Sequence, residues 1–90
     1  MQKTIDDRLI DNVLNMFYGY LPYGVNYFSI TYKLDIDAGL WEKLFDFLIK
    51  EDLIAEWGGV EKQILTEKGI AVITRYGGWD DYLKYSNPPK

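Results

Sequence analysis

Residues 30–54, ITYKLDIDAGLWEKLFDFLIKEDLI, decide how the chain folds. Within them Leu40, Trp41, Leu44, Phe45, Leu48 and Ile49 recur in paired i, i+4 rows, the apolar stripe of an amphipathic helix. Asp37 stands where an N-cap belongs, and the helix predicted from it runs as far as Glu51. Just upstream, Asn26 can cap a short second helix, Tyr27 to Lys33. Tyr, Phe, Ile, Thr and Tyr in that segment have β propensity, so a strand is the competing reading there. Downstream, Leu53 to Trp57 reads as a strand, Gly58-Gly59 as a two-residue hairpin turn, and Val60 to Leu65 as the return strand.

Working outward, Thr4 is the expected cap of a first helix over residues 5–18, with Asp6 and Asp7 in its first turn. Its apolar stripe is Ile5, Leu9, Val13, Met16 and Tyr20, joined by Ile10, Leu14 and Phe17. Gly19, Pro22 and Gly24 then break the pattern into a loop. On the other side Thr66 caps a fourth helix over residues 67–76, with Ile70, Ile73 and Tyr76 expected inward and Gly77-Gly78 as its stop. Trp79, Tyr82 and Tyr85 are spaced by threes, so a last helical turn is expected to fold back on the body, and Asn87-Pro88-Pro89 reads as a tail. The expected class is mainly α with a small β-hairpin (α+β), as one domain over residues 1–78 with an aromatic extension and tail over 79–90.

The order helix, helix, helix, hairpin, helix is that of a winged helix-turn-helix, and residues carry the likeness too. Ile30-Thr31-Tyr32-Lys33-Leu34-Asp35-Ile36 resembles the superfamily's second helix and turn. Leu48-Ile49-Lys50-Glu51-Asp52-Leu53-Ile54 resembles the end of its third helix and the entry to its wing. Ile64-Leu65-Thr66-Glu67-Lys68-Gly69 is similar to its common closing strand and final helix start. The spacing from Leu34 through Phe45 and Leu48 to Leu53 matches small bacterial regulators of the ArsR, MarR and PadR types. The likeness covers roughly residues 4–78. One departure is Asp52, where the family often has Gly at a left-handed helix stop; Asp tolerates that conformation better than most residues.

The resemblance implies a transcription-regulator type of module, with the third helix in the DNA major groove and a basic hairpin on the backbone. Carried over position by position, the outward face of that helix is Ala38, Gly39, Glu42, Lys43, Asp46 and Phe47. Readout of bases prefers Arg, Lys, Asn or Gln there, and this face offers one Lys between two carboxylates. The candidate nucleic-acid contacts are Lys33, Lys43 and Lys62, and binding through them is expected to be weak. Residues 26–66 hold four basic and eight acidic residues, so this half carries the whole net charge of −4. With a two-residue turn at Gly58-Gly59, Trp57 would face Val60 and Glu56 would face Glu61, aiming paired negative charge at a phosphate backbone.

That balance turns attention to a protein partner, a second copy included. Glu42, Asp46, Glu56 and Glu61 are the candidate acidic contacts, with ordinary solvated surface charge as the competing explanation. Phe17, Tyr18, Tyr20, Tyr23, Tyr27, Phe28 and Tyr32 place seven rings in sixteen residues. A core this small cannot easily bury them all, and Tyr among Gly and Pro suits protein interfaces; hence Tyr18, Tyr20, Tyr23 and Tyr27 are interface candidates. Packing of the loop onto the first helix explains the same residues equally well.

Catalysis finds little support. The chain has no His and no Cys, which removes the usual general base, thiol nucleophile, disulfide and thiolate metal site. Asp35-x-Asp37 lacks the further ligands of a calcium loop, and Gly58-Gly59 and Gly77-Gly78 lack the Lys of a phosphate loop. No cofactor or metal is expected. No apolar run approaches a membrane span and no basic-then-apolar leader follows Met1, so a soluble, cytoplasmic protein is expected.

Overall fold

A computed structural model describes residues 4–57 and 62–86, with Tyr27 and Phe28 described in backbone only. Among these residues the chain forms α1 (Asp7–Gly19), β1 (Val25–Asn26), α2 (Tyr27–Leu34), α3 (Ala38–Lys50), β2 (Ile54–Glu56), β3 (Lys62–Leu65), α4 (Glu67–Thr74) and α5 (Trp79–Ser86). The class is mixed, with helices around a small antiparallel sheet of order β1-β3-β2. The turn at Gly58-Gly59 and the tail Asn87-Pro88-Pro89 lie outside the described residues.

Each helix start has a physical cause in the sequence. Asp6, not Thr4, caps α1: its Oδ1 accepts the Leu9 N–H at 2.8 Å, so the helix begins two residues later than the periodicity predicts. Asn26 accepts the Ser29 N–H at 3.0 Å, and this cap decides the competition at 27–34 in favour of helix. Asp37 accepts the Leu40 N–H at 2.7 Å, and Thr66 Oγ1 accepts the Gly69 N–H at 3.1 Å. α2 and α3 are separated by Asp35, at φ 52°, and α3 is followed by Asp52, at φ 60°. Both left-handed positions are filled by Asp, whose short polar chain tolerates them.

The core is continuous across the elements. Leu9, Ile10, Val13, Leu14 and Phe17 of α1 are buried with Ile30, Ile36, Leu40, Trp41, Leu44, Leu48, Leu53, Ile54, Leu65, Val72 and Trp79. Three apolar expectations are corrected. Tyr20 lies beyond α1 as its C-cap and is exposed, because the helix ends before the next inward position. Ile49 is exposed, since the buried row of α3 turns through Leu44 and Leu48 away from it. In α4 the residues turned fully inward are Gly69 and Val72, with Ile70 and Ile73 half-buried at the sides; the helix stops at Thr74, leaving Tyr76 outside it.

The hairpin register also differs from the expectation. Ile54 pairs with Leu65, Ala55 with Ile64 and Glu56 with Gln63, and the Trp57 N–H donates to the Lys62 carbonyl at 3.0 Å. Glu56 therefore faces Gln63 rather than Glu61. Four residues, 58–61, separate the paired Trp57 and Lys62, so the connection is two residues longer than a two-glycine turn and the register moves by two. On the other edge of β3, Val25 pairs with Gln63 and Asn26 with Lys62, a strand that the sequence reading did not anticipate.

Candidate interaction surface

α3 is anchored by its buried Leu40, Trp41, Leu44 and Leu48, which fixes what the opposite side shows. Ala38, Gly39, Glu42, Lys43 and Asp46 are exposed there, as expected. Phe47 is not: it is half-buried and meets the Trp79 ring edge-on, with centroids 5.6 Å apart. The arrival of α5 removes Phe47 from the outward face.

Glu42 and Asp46 stand one turn apart at i, i+4, where like charges repel by a few tenths of a kcal/mol, about 0.2–0.5 in isolated helices. Neither makes an ion pair among the described residues; Lys43 stands between them, and Lys50, one turn beyond Asp46, is a second exposed basic residue on this side of the helix. The other two candidate lysines are engaged with rings. Lys33, in the last turn of α2, donates to the Tyr20 hydroxyl at 2.8 Å and sits 5.1 Å from the centroid of the same ring. Lys62 lies 6.0 Å from the Trp57 centroid. Trp57 in turn rests on Gly24, where a Cβ would come within 2.8 Å of the indole ring. Lys62 pairs with Asn26 at the start of α2, and Lys33 follows seven residues later, about 10 Å along the helix. The three lysines are thus carried by three different elements, α2, α3 and β3.

The expected tyrosine contacts are exposed where they are described: Tyr18 at 42%, Tyr20 at 36% and Tyr23 at 67% of their full area, with Tyr32 of α2 at 90%. Among the described side chains of that run, Phe17 is the buried one. Glu56 is exposed on β2, while Glu61 and the side chain of Tyr27 lie outside the described residues. Among the described residues no cluster of acidic, His or Cys side chains is arranged to hold a metal ion, and no helix is long and apolar enough to cross a membrane.

A second constellation has no counterpart in the sequence reading. Two carboxylates one turn apart on α1 hold the start of α5: Asp11 Oδ1 accepts the Trp79 backbone N–H, and Asp7 Oδ1 accepts the Trp79 indole N–H at 3.2 Å. The sequence signal was the Asp7-x₃-Asp11 spacing together with a Trp directly after Gly77-Gly78, both of which have positive φ. Beside this clamp, the ends of α1, α3 and α5 enclose a groove of about 470 Å³.

No family model, curated protein or solved structure matches this chain.

Proposed function

We propose that the chain is a non-catalytic winged-helix binding module of transcription-regulator type whose α3 face meets a protein in preference to DNA. The winged-helix reading is supported by the succession α1, α2, α3, hairpin, α4, by the left-handed stop at Asp52, and by Gly69 packed close against Leu53, just before β2, and Leu65 of β3. The observation that carries the preference for protein is the exposed pair Glu42 and Asp46 on the face that a reader helix would present. A duplex brought to that face meets two carboxylates alongside the ammonium groups of Lys43 and Lys50, so the helix face carries no net positive charge to attract it. A partner supplying Lys or Arg meets complementary charge and exposed tyrosine area beside it.

Fluorescence anisotropy with a labelled random-sequence duplex at 50 mM salt tests the choice. The expected result is no saturation below about 10 μM protein, in the range of non-specific binders. Sub-micromolar binding that weakens steeply with salt overturns the preference and restores a DNA reader working through Lys33, Lys43 and Lys62. Static light scattering then separates the protein partners. A mass rising with concentration from 10.6 kDa toward twice that value supports a second copy as the partner, and a constant mass excludes it.

A further inference from the structure

The groove between α1, α3 and α5 combines two features that belong together chemically. Its apolar floor is made by Ile10, Phe47, Trp79 and Leu83, with the Tyr82 ring alongside. Phe47, Trp79 and Tyr82 form a continuous run of rings, with successive centroids 5.6 and 5.5 Å apart. Its rim is formed by the carboxylates of Asp6, Asp7 and Glu51, and no Lys or Arg is among the described lining residues. Asp6 and Asp7 each commit Oδ1 to a hydrogen bond described above, and Oδ2 of neither takes part in a hydrogen bond among the described residues.

The chain itself shows what such a surface holds. Just outside the groove, Lys68 Nζ sits 5.6 Å from the Tyr82 centroid, 4.0 Å from Glu51 Oε2, and donates to the Glu51 carbonyl at 2.8 Å. One wall ring and one rim carboxylate are therefore already arranged around an ammonium. The volume is within the range of small-molecule sites, and π faces beside carboxylates favour a cation whose body is apolar.

We propose that this groove binds a small amphipathic organic cation, with its ammonium at the Asp6, Asp7 and Glu51 rim and its apolar body against Phe47 and Trp79. The site is independent of what meets the outer face of α3. An anion is repelled by the Asp6 and Asp7 carboxylates, and a neutral compound of the same shape forgoes the ionic contacts.

The test is ¹H–¹⁵N NMR of the full chain titrated with benzyltrimethylammonium in 150 mM salt. The expected result is a saturable shift of the Trp79 indole N–H with a dissociation constant on the order of 1 mM, ordinary for so small a ligand. Benzoate and benzyl alcohol serve as anionic and neutral comparisons and are expected to leave that signal in place. The double variant Asp6→Asn, Glu51→Gln keeps the α1 cap and removes two rim charges; it is expected to bind about fivefold more weakly. Equal shifts with benzoate or benzyl alcohol overturn the proposal, as does a shift that never saturates or a double variant that binds like the parent. If the double variant loses the dispersed spectrum of the fold, Glu51→Gln alone is read the same way, with about a twofold loss expected.

Discussion

Two single residues show local backbone demands that set the sign of a substitution. Asp52 sits at φ 60° after α3 and is exposed, so its side chain contributes little packing to offset the strain of a left-handed conformation. Gly removes that strain but loses more backbone entropy on folding, about 0.5–1 kcal/mol. The strain is the larger quantity, so Asp52→Gly is expected to stabilise by about 0.5 kcal/mol, seen as a rise of about 2–4 °C in a thermal melt. At Gly69 the sign is reversed. A Cβ there would collide with the Leu53 carbonyl oxygen and lie 2.8 Å from Leu65 Cδ2. Ala is worth about 1 kcal/mol more than Gly in a helix, but α4 and β2 would have to separate to admit it, at a cost of about 1–3 kcal/mol. The collision with backbone decides the sign because a carbonyl held between strand and helix cannot rotate aside. Gly69→Ala is expected to lower stability by about 1–2 kcal/mol in a urea titration, with an unchanged slope.

Among the elements, α5 depends most on one remote contact. Its first backbone N–H is satisfied by Asp11, sixty-eight residues earlier in the chain, so α1 supplies the cap that the local sequence does not. Asp11→Ala removes that acceptor and is expected to weaken the docking of α5 by about 1 kcal/mol, raising hydrogen exchange of the α5 amides about fivefold while α2 and α3 are unaffected. Asp11→Asn keeps an oxygen in place and is expected to exchange like the parent. This long-range capping also shows where sequence reading reaches its limit. Caps at Asn26, Asp37 and Thr66 were legible because cap and helix are adjacent, and the Leu40 to Leu48 row was legible because it repeats within one element. The return of Trp79 toward the body was legible from its spacing, but its carboxylate partners were not, and with them went Phe47, which reads as outward until α5 covers it. β1 is two residues long, too short to display an alternation, and it exists because β3 has a free edge to pair. The register of β2 and β3 is not legible in the sequence because Gly58-Gly59 matches the signal of a two-residue turn, whereas four residues separate the paired Trp57 and Lys62. Of the candidate surface, the exposed charges of α3 were readable from periodicity; the rings under Lys33 and Lys62 were not, since both contacts join segments that only the fold brings together.

For the whole molecule the decisive quantity is where the charge lies. The net charge is −4, and residues 26–66 account for all of it, so the half of the chain that carries α3 and the hairpin repels a polyanion most strongly. If the chain disfavours DNA as proposed, and this placement rather than the backbone architecture is the cause, reversing it at two positions should convert the molecule. Glu42→Lys with Asp46→Lys changes four units of charge and brings the net charge to zero without touching the buried row of α3. Both side chains are exposed and unpaired among the described residues, and the like-charge repulsion at i, i+4 persists with opposite sign, so stability is expected to change by less than about 0.5 kcal/mol. Together with Lys43 and Lys50 the new lysines place four ammonium groups on one helix face. In anisotropy titrations at 100 mM salt the double variant is expected to bind a random duplex at least about tenfold more tightly than the parent, with the slope of log K against log salt steeper by about two. A variant that folds normally and still ignores the duplex would show that this helix face cannot reach the phosphates at all; the winged-helix docking geometry would then fail along with the electrostatic explanation.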